Sequence, residues 1–134
     1  MSQKNLQIVR GIYEATARRD IPAIVNAFDP EVELRLADNW IYADRNPLIG
    51  PQAAIVEGPL SRLAMEWEGF SMIPETLLDA GDHVVALGVY TGMYKATGKQ
   101  IRAQFAHIWT ISRGKVRKLQ QYTDTKQFAD AVKA

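Results

Sequence analysis

Apolar positions recur at three- and four-residue steps early in the chain and at two-residue steps later, so helices come first and strands follow. Leu6, Val9, Tyr13 and Ala17, with Ile12 and Thr16 beside them, predict an amphipathic helix over about residues 2–18. Asp20 has the short acceptor side chain of an N-cap, and Pro22 suits a first helical turn. Ile21, Ile24, Val25 and Phe28 then predict a short second helix that Pro30 ends. Val32, Leu34 and Leu36 alternate with Glu33 and Arg35, the pattern of a half-buried strand. Residues 37–49 fit neither period, and an irregular segment of that length is more often a lid or binding segment than a plain connector. Trp40 and Tyr42 in it are candidate ligand contacts, with capping of the core edge as the alternative. Gly50-Pro51 opens a helical stretch that Gly58-Pro59 interrupts, predicting a kink or two short helices. Leu60, Leu63, Ala64 and Trp67 form the stripe of the second piece, and Gly69 ends it.

The remainder is strand-like. Strands are expected over 70–78, 83–94, 101–111 and 116–124, with turns at 79–82, Thr97-Gly98 and Arg113-Gly114. Residues 125–134 predict a short final helix with Phe128, Ala129 and Val132 on one face. A two-residue turn at Arg113-Gly114 sets Ser112 against Lys115, His107 against Gln120 and Phe105 against Tyr122. One face of this hairpin then carries Phe105, His107, Trp109, Gln120, Tyr122 and Asp124, and the other carries Ile108, Thr110, Leu119 and Gln121. A His, a Tyr and an Asp among aromatics suggest a pocket wall, because a purely apolar core would not need them.

A chain of 134 residues suffices for one domain, residues 1–134, with a sizeable core. Its 47% hydrophobic and 23% charged residues are ordinary for a soluble globular protein. A formal charge of +1 gives no bulk reason to expect nucleic acid or an anionic membrane surface. With no cysteine, disulfides, thiolate metal sites and cysteine nucleophiles are excluded, and the two histidines are too far apart in the pattern to share a zinc. No apolar run is long enough to span a bilayer, and residues 1–15 lack a signal-peptide core. A cytoplasmic, soluble protein is the expectation. The order of elements gives an α+β layer fold, in which a strongly bent sheet on helices would enclose a conical cavity.

Several motifs in fixed order point further. They are Asp20-Ile21-Pro22-Ala23-Ile24 with Phe28, Ile49-Gly50-Pro51-Gln52-Ala53-Ala54, the 80–88 turn and strand, Thr97-Gly98-Lys99, Phe105-Ala106-His107-Ile108-Trp109-Thr110-Ile111, Gly114-Lys115-Val116 and Gln121-Tyr122-Thr123-Asp124-Thr125. In these the chain resembles the SnoaL-like, ketosteroid-isomerase-related branch of the NTF2-like superfamily. The resemblance implies a cone-shaped α+β barrel with a curved, mostly antiparallel sheet, a pocket in its mouth, and usually a homodimer built through the sheet. It leaves the activity open, because this fold hosts isomerases, cyclases, hydrolases, dehydratases and non-catalytic binders.

Departures narrow the choice. The steroid isomerases of the fold use a first-helix Tyr, an Asp base after the first strand and a protonated Asp as donor. Here Ile12 stands beside Tyr13 at the first position, Leu36 near the second and Ala106 at the third, so those roles are vacant unless a register shift brings in Tyr13. The Asp-Arg-Asp set of the epoxide hydrolases fails too: Asp124 has no second acid near it, and Arg102 falls on the face away from His107. The SnoaL-type polyketide cyclases, which need no metal or cofactor, are the closest analogy, and Asp124 matches their pocket acid. His107 supplies a second titratable group, with an ordinary pKa of about 6.5 that suits proton transfer. Along the strand the two lie on the order of ~13 Å apart at roughly 3.3 Å per residue, so they flank a ligand rather than pair.

Two readings stand. One is a cofactor-independent isomerase, cyclase or dehydratase acting on a small apolar carbonyl compound. In it His107 and Asp124 are catalytic, and Trp40, Tyr42, Tyr90, Phe105, Trp109, Gln120 and Tyr122 shape the substrate pocket. The other is a non-catalytic binding or dimeric scaffold protein, with His107 as an internal hydrogen-bonding group and Asp124 as a cap on the last helix. Neither reading calls for a metal or a nucleic acid.

Overall fold

The computed structural model describes residues 2–134. Helix α1 (Ser2–Ala17) buries Val9, Ile12 and Tyr13. It closes through Arg19 in the left-handed region (φ 58°), with the Asp20 N–H donating to the Ala15 carbonyl at 2.9 Å. Asp20 then caps α2 (Ile21–Ala27), its carboxylate accepting from the Ala23 N–H at 3.2 Å, with Pro22 in the first turn. Pro30 does not end that helix. The chain is already extended at Phe28, and Pro30 lies inside β1 (Phe28–Arg35), where pairing slips between Phe28 and Glu33 and the ladder needs no N–H from it.

After residues 36–47 come a two-residue strand β2 (Leu48–Ile49), a π-helical turn (Gln52–Val56) and α3 (Pro59–Glu66). The Gly58-Pro59 break divides the stretch into two short helices, as the sequence predicts. Trp67 does not belong to the helix stripe. It starts β3 (Trp67–Ala80), and Gly69, at φ 63°, sits in an irregular pairing between Glu68 and Ser71 rather than at a helix end. Strand β4 (His83–Tyr94) keeps the expected bounds, followed by β5 (Gln100–Ser112), β6 (Lys115–Thr123) and α4 (Thr125–Ala131).

The six strands form one curved, unclosed sheet in the order β2-β1-β6-β5-β4-β3. Strands β3 to β6 run as an antiparallel meander, and β1 joins β6 in parallel. The helices pack inside this curve. Phe128 of α4, fully buried, stands edge-on to Trp40, Trp67 and Tyr90 at ring separations of 5.5–5.8 Å. Among the described residues no helix is long and apolar enough to cross a membrane.

The terminal hairpin departs from its simple register. Its turn has two residues with positive φ, Arg113 (54°) and Gly114 (76°), and Ser112 faces Lys115 as expected. Pairing then slips between Ile111 and Thr110, so one extra residue enters β6. Beyond that bulge every partner moves by one: Trp109 faces Leu119, His107 faces Gln121, and Phe105 faces Thr123. Because strand side chains alternate, the slip exchanges the faces of the outer half of β6. Leu119 and Gln121 turn inward, and Gln120 and Tyr122 turn away.

Candidate site: an internal hydrogen-bond relay at the base of a funnel

Five side chains from four elements of the fold meet where α1 crosses the sheet. Tyr13 comes from α1, Tyr90 from β4, His107 and Trp109 from neighbouring inward positions of β5, and Gln121 from β6. The Tyr13 hydroxyl lies 2.6 Å from His107 Nδ1, and the Tyr90 hydroxyl 2.6 Å from Nε2. The ring of Phe105 stacks on the imidazole at 4.1 Å and an interplanar angle of 17°. His107 and Gln121 are the buried polar residues of the interior, each 3% exposed. Burial holds the imidazole down at about 3, so His107 is neutral at physiological pH. Burial likewise raises both Tyr13 and Tyr90, which keeps them as phenols.

Two groups that can only donate set the direction of these bonds. The Trp109 indole N–H meets the Tyr13 oxygen at 3.0 Å. The backbone N–H of Ala37 meets Gln121 Oε1 at 3.1 Å, which leaves the Gln121 amide nitrogen to donate to the Tyr90 oxygen at 3.0 Å. Each hydroxyl therefore accepts one bond from outside the central trio. A neutral imidazole carries one ring proton, so His107 donates to one tyrosine and accepts from the other. Whichever tautomer is taken, one phenolic proton is left over. The relay has a hydroxyl to offer to an acceptor.

Both tyrosines line a cavity. A throat of about 70 Å³ is lined by Tyr13, Tyr90, His107, Trp109, Gln121 and Trp40, with apolar side chains such as Leu36 and Leu119 around them. It opens into an outer chamber of about 520 Å³ between α1, α2, α3 and β3. Thr16, Ile24, Ile55, Leu60, Leu63 and Met72 line both spaces, which makes them one funnel. Among the described residues no carboxylate lines either part.

The expected site residues divide accordingly. Trp40, Tyr90, His107 and Trp109 line the throat, and Phe105 supports the imidazole from behind. Gln120 is half-buried and bonds the Gln121 carbonyl, and Tyr122 is 53% exposed, because the β6 bulge turned both away. Asp124 is not in the cavity. It is exposed and caps α4, accepting from the Gln127 backbone at 3.3 Å and its amide at 2.9 Å. Tyr42 is buried elsewhere: it donates to Glu66 at 2.5 Å, accepts from the Trp67 indole at 2.9 Å and lies under Arg62. Two relay members were not among the expected site residues: Tyr13, which the sequence set one position from the family's first-helix tyrosine, and Gln121, which period-2 alternation assigns to the opposite face.

This architecture defines the class first: a curved sheet over helices with a funnel at its mouth, the NTF2-like α+β fold. An NTF2-like protein from Burkholderia thailandensis superposes with a TM-score of 0.89 at 33% identity, over 96% of both chains. The profile of the SnoaL-like domain matches residues 9–119, and the chain belongs to that family. A SnoaL-like polyketide cyclase, so described putatively, from Jannaschia shares the fold (TM-score 0.85, 15% identity, 100% of this chain and 94% of that one). So does a protein of ketosteroid-isomerase-like fold from Catenulispora acidiphila (0.77, 17%, 92% and 90%). No curated protein matches the sequence.

Proposed function

We propose that this protein binds a small, largely apolar carbonyl compound in the funnel and polarises its oxygen with a tyrosine hydroxyl of the throat. This is the electrophilic half of cofactor-independent isomerase, cyclase or lyase chemistry. The carrying observation is the leftover phenolic proton. It follows from the Trp109 and Gln121 donors, and both tyrosines that can carry it line a mostly apolar space. A donor aimed where negative charge develops on a carbonyl oxygen stabilises the enolate or alkoxide that follows. In this reading His107 is a positioning residue: both ring nitrogens are engaged, and at about 3 it is a weak base. It sets which tyrosine donates, and a tautomer change exchanges them.

The absence of a carboxylate from the funnel's described lining favours a second reading, in which the pocket holds its ligand without turning it over. One experiment separates them. Cyclohexanone in deuterated buffer is followed by NMR with the wild type, Tyr13→Phe and Tyr90→Phe. Protein-accelerated exchange of its α-protons that falls at least tenfold in one tyrosine variant supports activation. Tyrosine-dependent binding without exchange supports holding. Ketone affinity that ignores both tyrosines rejects the hydroxyl as donor.

A further inference from the structure

The three tryptophans differ in one respect. Trp67 gives its indole N–H to Tyr42 and Trp109 gives its own to Tyr13, at 2.9 and 3.0 Å. Trp40 gives its to nothing. Trp40 is 4% exposed, its Nε1 atom is buried, and among the described residues it is the one buried side-chain polar atom with no hydrogen-bond partner. An indole N–H can only donate, and native structures rarely leave such a group unpaired without a use for it.

Its position is not incidental. Trp40 lines the same throat as Tyr13, Tyr90 and His107. The tight turn that carries it, closed by the Trp40 N–H on the Ala37 carbonyl at 3.1 Å, is pinned to the relay, because the Ala37 N–H is the group that orients Gln121. Tyr42 and Phe128 stand edge-on to the indole at 5.2 and 5.5 Å and hold the ring in place. One end of Gln121 thus anchors the Trp40 turn and the other donates to Tyr90. The free indole proton and the leftover phenolic proton belong to one connected wall.

We propose that Trp40 is a ligand-contacting residue whose indole N–H is the second donor to the ligand's oxygen, beside the throat tyrosine. This rests on the acceptor-bearing ligand inferred above and narrows it. The oxygen must take two donors at once, which a carbonyl or enolate oxygen does with its two lone pairs. A ligand whose buried polar group is only a donor, such as a primary ammonium, is refused at this wall.

The test uses the full chain, 15N-labelled, with cyclohexanone and the hydrocarbon methylcyclohexane as probes. Trp40→Phe assigns the Trp40 indole cross-peak by its disappearance. On adding cyclohexanone that peak moves downfield, while methylcyclohexane leaves it in place. Trp40→Phe weakens cyclohexanone binding about 5-fold, the size of one net hydrogen bond, and changes methylcyclohexane binding by less than about twofold. The variant loses ring packing against Tyr42 and Phe128, so its unfolding midpoint falls modestly, and both probes are measured well below that midpoint. A Trp40 peak indifferent to cyclohexanone, or an equal loss of both probes, overturns the assignment. If Tyr13→Phe or Tyr90→Phe weakens the ketone and Trp40→Phe does not, only Trp40 is rejected. A wild type that does not prefer ketone to hydrocarbon rejects Trp40 and the tyrosine donor together.

Discussion

His107 joins two tyrosines that the sequence keeps far apart, and its protonation reports on the integrity of the whole relay. Its ordinary pKa of 6.5 falls to about 3 in the folded protein because burial penalises the imidazolium. The linkage has a definite sign. Between those two values the unfolded chain binds a proton that the native chain does not, so stability falls as pH drops below 6.5 and keeps falling toward 3. One such group contributes a slope of at most about 1.4 kcal/mol per pH unit. Urea unfolding at pH 7.5 and at pH 5 is expected to differ by about 2 kcal/mol from this source. In His107→Gln that difference shrinks, although the variant is less stable at both values. A pH dependence unchanged in the variant would place the titrating group elsewhere. The residue itself was legible in the sequence as a polar side chain on an aromatic strand face. Its role was not, since whether a buried imidazole serves as a base depends on what occupies its two nitrogens.

The decisive feature among the elements is the β6 bulge. Its residue Arg117 reaches across to β1, where it donates to the Glu31 carbonyl at 2.7 Å and lies near the Asp29 and Glu31 carboxylates at 3.6 and 3.5 Å. The same stretch of β1, around Pro30, is where the parallel β1–β6 pairing slips. Two irregularities thus fit each other across the sheet. Deleting Arg117 removes the extra residue and leaves Lys118 opposite Thr110, Leu119 opposite Trp109 and Gln121 opposite His107, so the faces of the outer half of β6 are kept. The deletion is therefore expected to fold with the relay intact and to lose about 1–3 kcal/mol, from the contacts to β1 and the altered local twist. Arg117→Ala keeps the register and removes only partly exposed contacts, costing about 1 kcal/mol or less. A deletion variant in which Tyr122 becomes buried and Gln121 exposed would show that pairing with β5 does not fix the faces. The turn at Arg113-Gly114 and all four long strands were readable from local pattern. The bulge was not, because the strand it fits against lies 86 positions earlier in the chain.

For the molecule as a whole, the outer surface of the sheet carries two adjacent apolar rows. Leu78, Val85 and Ile108 form one across β3, β4 and β5, and Leu87, Ala106 and Tyr122 form the next across β4, β5 and β6. Leu78, Leu87 and Tyr122 are 47%, 40% and 53% exposed. A contiguous apolar patch of this kind on a sheet is suited to a second copy of the chain related by a two-fold axis. Tyr122, turned outward by the bulge, takes the place opposite Ala106 that the simple register gives to Gln121. Sedimentation equilibrium is expected to show a dimer that Leu87→Lys with Tyr122→Lys converts to a folded monomer; a monomeric wild type would refute the interface. The sequence by itself determined the elements, their order, the α+β class and the aromatic strand that bears His107, because period, caps and turn residues act over a few neighbours. Tertiary structure alone decided which side chains met. A one-residue slip in β6 moved Gln121 into the relay and Tyr122 out of it. The cap geometry of α4 kept Asp124 at the surface, and the folding of α1 across the sheet brought Tyr13 to within 2.6 Å of an imidazole 94 residues away.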